Sequence, residues 1–191
     1  MITKDRQYRT FEIRAEPDGM IVEGYAAVFD APEVMYEVDG IQYSEVLERG
    51  AFDGAQMQDV VLNFDHSGKP LARTKSGTLR LSVDDHGLKA QADLSSTAES
   101  RSLYEEIKAG LIDKMSFAFT VGKEMYDKAT HTRSIQGIKR LYDVAAVTFP
   151  AYESTAIIAR SFFEVEAERE RAEARNALEL ALKRYEYQGV T

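Results

Sequence analysis

A serine, a histidine and an aspartate each interrupt an apolar stretch of this 191-residue chain. Ser116 lies within Gly110-Leu111-Ile112-Asp113-Lys114-Met115-Ser116-Phe117-Ala118-Phe119, and His66 ends Val61-Leu62-Asn63-Phe64-Asp65-His66. Asp143 stands at the mouth of Leu141-Tyr142-Asp143-Val144-Ala145-Ala146-Val147-Thr148-Phe149-Pro150-Ala151. A polar side chain among bulky apolar neighbours costs about 1–3 kcal/mol unless it is hydrogen-bonded. A hydroxyl, an imidazole and a carboxylate from separate strands can compensate one another, and the same set performs nucleophilic acyl transfer. The hydroxyl is too weak an acid to attack unaided; imidazole, with its pKa near 7, takes the proton, and a carboxylate fixes its tautomer. Taken singly, each residue type in such a place is more often structural than catalytic. Spacings of 50 residues from His66 to Ser116 and 27 from Ser116 to Asp143 bring them together only once a fold is assumed.

Composition narrows the chemistry. The chain has no Cys, which excludes disulfides, thiolate metal sites and cysteine nucleophiles, and suits a reducing cytoplasm. Only His66, His86 and His131 can supply an imidazole. His86 falls in the polar turn Asp84-Asp85-His86-Gly87 and His131 in the polar loop Asp127–Arg133, so both are expected to be solvated. A metal site from His66, His86, Asp84 and Asp85 lacks any ligand motif, so neither metal nor cofactor is expected. With 24 Lys+Arg against 32 Asp+Glu, the net charge of −8 argues against nucleic-acid binding, which needs clustered cations. The N-terminus lacks the apolar segment of a signal peptide, and no apolar run approaches the roughly 18 residues of a membrane span.

Mostly short strands must position these residues. Alternating apolar segments predict strands at Tyr8–Arg14 and Met20–Phe29 about the turn Glu16-Pro17-Asp18-Gly19, and a hairpin over Val34–Leu47 about Asp39-Gly40. Further strands are predicted at Val60–Phe64, Thr78–Val83, Leu88–Leu94, Lys114–Met125, Arg133–Tyr142 and Val144–Phe149, with another short apolar stretch at Thr155–Ala159. Asp65–Pro70 reads as a turn, and Gly87 as a turn glycine with positive φ. One helix interrupts the strands: Ser96-Thr97-Ala98-Glu99 has capping-box spacing, Leu103, Ile107 and Leu111 share a face, and Gly110 ends it. From Glu164 to Tyr187, seven Glu, five Arg or Lys and a narrow stripe of Leu178, Leu182 and Tyr185 predict an exposed helix, either solvated or docked on a partner or a second copy. The fold class expected is α+β, mainly β, as a barrel or sandwich with packed helices.

Several motifs in one order resemble a known family. Gly24-Tyr25-Ala26-Ala27-Val28-Phe29, Glu48-Arg49-Gly50-Ala51-Phe52, Phe64-Asp65-His66-Ser67, Met115-Ser116-Phe117-Ala118-Phe119 and Asp143-Val144-Ala145-Ala146-Val147-Thr148-Phe149-Pro150-Ala151-Tyr152 are similar to the prohead maturation proteases of tailed bacteriophages, related in fold to the herpesvirus assemblins. The resemblance covers roughly residues 10–160. It implies an assemblin-type antiparallel β-barrel and a serine endopeptidase of virion assembly. Such an enzyme works in the host cytoplasm inside the immature capsid, cleaving scaffold or major capsid protein, and often itself.

Carried over by position, Ser116 matches the nucleophile and His66 the general base. Where assemblins place a second His, this chain offers Asp143, with Glu153 as runner-up. By analogy the oxyanion hole comes from backbone N–H groups after that strand; Pro150 has none, leaving Ala151 or Tyr152. The division expected is a peptidase domain over 1–163 and a charged helical tail over 164–191, which would serve as a tether, a self-cleaved segment or a self-association surface. The competing readings are a catalytically silent assembly or scaffolding protein with the same barrel, and an ordinary intracellular binding module.

Overall fold

The computed structural model describes residues 7–17, 19–148 and 155–188. Strand β1 (Gln7–Ala15) pairs antiparallel with β2 (Ile21–Val28), and β3 (Glu33–Val38) with β4 (Ile41–Leu47). The second hairpin closes on Asp39-Gly40, both at positive φ, as a two-residue turn matched to strand twist requires. Next come β5 (Val61–Phe64), β6 (Ser67–Arg73), β7 (Leu79–Val83), β8 (Gly87–Asp93), helix α1 (Ala98–Lys108), β9 (Lys114–Asp127), β10 (Thr132–Val147) and helix α2 (Thr155–Gln188).

The hydrogen-bonded order is β3-β4-β10-β9-β1-β2-β8-β7, with the β5–β6 hairpin joined to β10 through β5. The class is α+β and mainly β, but the sheet is mixed rather than antiparallel throughout, and its order has two ends, β3 and β7. Parallel pairing arises because the 16 residues of β10 give one edge two tenants: β4 lies along Thr132–Ile135 and β5 along Asp143–Ala146. Among the described residues, no helix is long and apolar enough to cross a membrane.

Several boundaries depart from the sequence reading. β6 occupies what reads as a turn, because Gly68 and Pro70 are tolerated on a strand that pairs on one side only. Arg133–Tyr142 and the part of Val144–Phe149 up to Val147 form one bulged strand, Phe149 lying outside the described residues; the stretch at Thr155–Ala159 is helical, continuous with the strong helix formers downstream. Thr97 caps α1 by accepting from the Ser100 N–H, and Leu103 and Ile107 are buried, but Leu111 lies beyond the helix end and is exposed. Gly87 is not a positive-φ residue; a Cβ there would fall on the Ala27 carbonyl oxygen, so close strand approach is what requires glycine.

One core joins the sheet to α1, with Phe117 and Phe119 stacked at 4.7 Å between ring centroids and Leu62, Leu88, Leu141 and Val144 around them. A second, small cluster seats α2: Phe163 and Ala167 pack with Tyr43, flanked by Tyr126 and Phe162. His131 belongs to this cluster rather than to solvent, 3.2 Å from Glu170 of α2, which also accepts the Tyr126 hydroxyl at 2.9 Å. Burial, with Glu170 alongside, pushes the Tyr126 hydroxyl well above the ordinary tyrosine range. Beyond that seat α2 is exposed, including Leu178, Leu180 and Leu182.

A buried ionic network ties four strands together, β1, β4, β9 and β10. Glu45 accepts from Arg9 Nε at 2.7 Å and from Arg133 at 2.9 Å, and Arg133 donates onward to Glu124 at 2.8 Å. Removing one partner of such a set strands buried charge, so Glu45→Ala is expected to cost about 3–5 kcal/mol, measured by urea unfolding. A milder, acid-dependent contribution comes from Glu23, whose carboxyl is held below the usual carboxylate range by hydrogen bonds from Lys89 and then Arg14. Because the folded-state pKa is depressed, this stability is present above the ordinary glutamate range and is lost as pH falls below that range and through the lowered folded-state value. Glu23→Gln should therefore flatten the acid limb of a stability–pH curve without changing its neutral plateau's dependence on pH.

Candidate active site

The site is laid out by the register of three adjacent strands. Ser116 of β9 pairs with Ala145 of β10, and Ala145 pairs with Asn63 of β5, so these three form one row on one face. In the neighbouring row Ala118, Asp143 and Val61 pair in the same way. The opposite face of β9 and β10 carries Met115, Phe117, Val144 and Ala146 into the core. Ser116 and Asp143 therefore share a face that holds small and polar side chains instead of large apolar ones.

A β-bulge at Tyr142 creates that arrangement. Leu141 pairs with Phe119, and the next pairing is Asp143 with Ala118, leaving Tyr142 as an extra residue on β10. In a regular ladder Asp143 would follow Leu141 onto the core face; the bulge turns it to the side of Ser116. Diagonal neighbours across antiparallel strands have Cβ atoms about 7–8 Å apart, a gap that one imidazole spans.

His66 supplies that imidazole from the turn between β5 and β6. Phe64 pairs with Ser67, and the two turn residues Asp65 and His66 sit at φ +45° and +55°. A non-glycine pair in the left-handed region is uncommon, and such conformations persist where surrounding contacts enforce them. Here Asp65 is the anchor: its N–H donates to the Ala146 carbonyl at 3.0 Å, and its carboxylate accepts from Thr148 N–H at 3.1 Å and Thr148 Oγ1 at 3.2 Å. The turn is thereby fastened to the end of β10, and His66 Nδ1 meets Asp143 Oδ1 at 2.5 Å. A carboxylate only accepts, so Nδ1 carries the proton and Nε2 is left as the basic nitrogen.

Ser116 is fully buried, and its Oγ has no hydrogen-bond partner among the described residues. A buried hydroxyl without a partner costs free energy, and such groups mark reactive or ligand-completed positions. The structure thus brings His66 and Asp143 into direct contact and sets Ser116 in the adjoining row. Ala151, Tyr152 and Glu153 lie outside the described residues.

The remaining histidine of the sequence reading, His86, packs edge-on to Tyr25 at 4.4 Å between centroids. Its neighbour Asp84 closes the turn, accepting from the Tyr25 hydroxyl and from the backbone of His86 and Gly87, which holds its carboxyl below the usual range. Two residues beside the candidate site escaped the sequence reading: Thr148, whose side chain follows β10 without any pattern to distinguish it, and Asn63. The signal for Asn63 was present, a lone polar residue inside the apolar run Val60–Phe64.

Comparison with known proteins points to the family that the motifs resemble. Residues 9–168 match the model of a family described as Peptidase_S78, caudovirus prohead serine protease. The chain is also 29% identical over 164 residues to the "Prohead protease" of Enterobacteria phage HK97, covering 83% of this chain and 68% of that protein. No solved structure matches the chain.

Proposed function

The chain belongs to the caudovirus prohead serine protease family, and we propose that it is an active serine endopeptidase of prohead maturation, with Ser116 as nucleophile, His66 as general base and Asp143 as the acid that orients it. The observation that carries this reading is the His66–Asp143 hydrogen bond on the face and beside the row of a buried serine that no other described group engages.

The steps follow from that geometry. His66 Nε2 takes the Ser116 proton as Oγ attacks the scissile carbonyl, and Asp143 offsets the imidazolium charge. The imidazolium then protonates the leaving amine, and water hydrolyses the acyl-enzyme through the same base. Backbone N–H groups of Ala151 or Tyr152 would receive the oxyanion. No metal or cofactor takes part. An extended substrate would pair with a strand edge, and β6, which starts beside His66 and among the described residues pairs only with β5, offers one.

The substrates in this reading are the major capsid protein, the scaffold protein and the chain itself, met in the host cytoplasm within the immature capsid. We take residues 1–163 as the peptidase domain and 164–191 as a charged tail for tethering, self-cleavage or self-association; the helix crosses this division without a break. The open sheet reads as a variant of the assemblin-type barrel, an interpretation supported by one core that gathers Leu79 near one end of the strand order and Leu47 near the other.

Labelling with a fluorophosphonate tests the enzyme reading. One adduct, mapped to Ser116 and lost in Ser116→Ala, is expected. An unlabelled protein that also processes no capsid or scaffold chain is instead the silent assembly protein.

A further inference from the structure

The row of Ser116 has a third member that the triad does not use. Asn63 is 8% exposed, and its Oδ1 is buried without a hydrogen-bond partner among the described residues. It pairs with Ala145 from one side as Ser116 does from the other, so the two polar side chains flank a fully buried alanine on the same face. His66 leaves its turn beyond this row and reaches back to Asp143 in the row before it. Along β5 and β10, the Asn63–Ala145 row lies between the turn that carries His66 and the row of Asp143.

We infer that Asn63 is a positioning residue for the general base, its side-chain carbonyl facing the His66 imidazole from the side opposite Ser116. The inference rests on the assignment of His66 as base. An acceptor held in a water-poor site without a donor is poorly placed while the ring is neutral and well placed once it becomes imidazolium. That is the form of electrostatic preorganisation in which a fixed dipole awaits a charge that develops during reaction. Asp143 from β10 contacts the ring, Asp65 precedes His66 in the turn, and Lys114 lies two residues before Ser116 on β9. Asp65 is engaged by Thr148, and Lys114 lies 3.5 Å from Glu12 and 3.9 Å from Asp113. Substituting Asn63 changes none of these.

The test uses the full chain carrying Asn63→Leu or Asn63→Asp. In Asn63→Leu, kcat should fall on the order of 10-fold with KM unchanged, since the interaction is made in the transition state. The His66 ring titration, followed by NMR in the resting protein, should move to lower pH in Asn63→Leu and to higher pH in Asn63→Asp. Identical titrations in wild type and both variants would overturn the inference, as would a raised KM with an unmoved titration, which would put Asn63 on the substrate instead. Should Asn63→Leu fail to fold, the near-isosteric Asn63→Asp carries the same test alone. Because the titration needs no turnover, a shift in a chain with no Ser116-dependent cleavage would sink the protease reading, and the base assignment with it, and leave only the contact between Asn63 and the His66 ring. Ser116-dependent cleavage with no shift would do the reverse.

Discussion

Ser116→Ala is expected to lower peptide-bond cleavage on the order of 10⁶-fold while leaving the protein at least as stable as wild type. The two halves of this expectation have one physical origin. Ser116 Oγ is buried and makes no hydrogen bond among the described residues, so deleting it strands no partner and removes an unsatisfied hydroxyl. A serine retained for structure behaves oppositely, because its loss leaves the group it served unpaired. Thermal unfolding and a cleavage assay on the same preparations separate these cases. An unchanged or raised Tm with activity gone marks a residue kept for chemistry at the expense of stability. A lowered Tm with cleavage retained would remove Ser116 from the mechanism.

Asp143→Asn should cost on the order of 10⁴-fold in kcat. The size of the side chain is kept, so the bulge at Tyr142 and the packing of β10 have no reason to change. What changes is the partner offered to His66. An asparagine amide can donate to Nδ1, which places the imidazole proton on Nε2, the atom that must be bare to accept from Ser116. Ring ¹⁵N shifts would report that tautomer directly. Unaltered kcat with an unaltered tautomer would mean that the 2.5 Å contact between His66 and Asp143 has no part in catalysis.

Much of this site was legible because its residues break apolar runs. Ser116 stands between Met115 and Phe117, and His66 ends a buried strand at a turn; both are visible without any structure. The orientation of Asp143 was not. It depends on a single extra residue in the pairing of β10 with β9, and register is fixed by contacts between strands distant in sequence. The same holds for the mixed sheet, since nothing in the pattern of β10 announces that β4 and β5 share its edge in parallel. β6 was hidden because Gly68 and Pro70 carry turn signals that an edge position overrides. His131 looked solvated because its loop is polar; its neighbour is Glu170, 39 residues away on a helix whose seat on the sheet no local signal reveals.

The most direct measurement is processing of a candidate substrate, the capsid or scaffold protein of the virus that encodes this chain, co-expressed with wild type or with Ser116→Ala and followed by intact mass. Defined cleavage products are expected with wild type and only full-length partner with Ser116→Ala. The same products from both proteins would contradict a role for Ser116 as nucleophile.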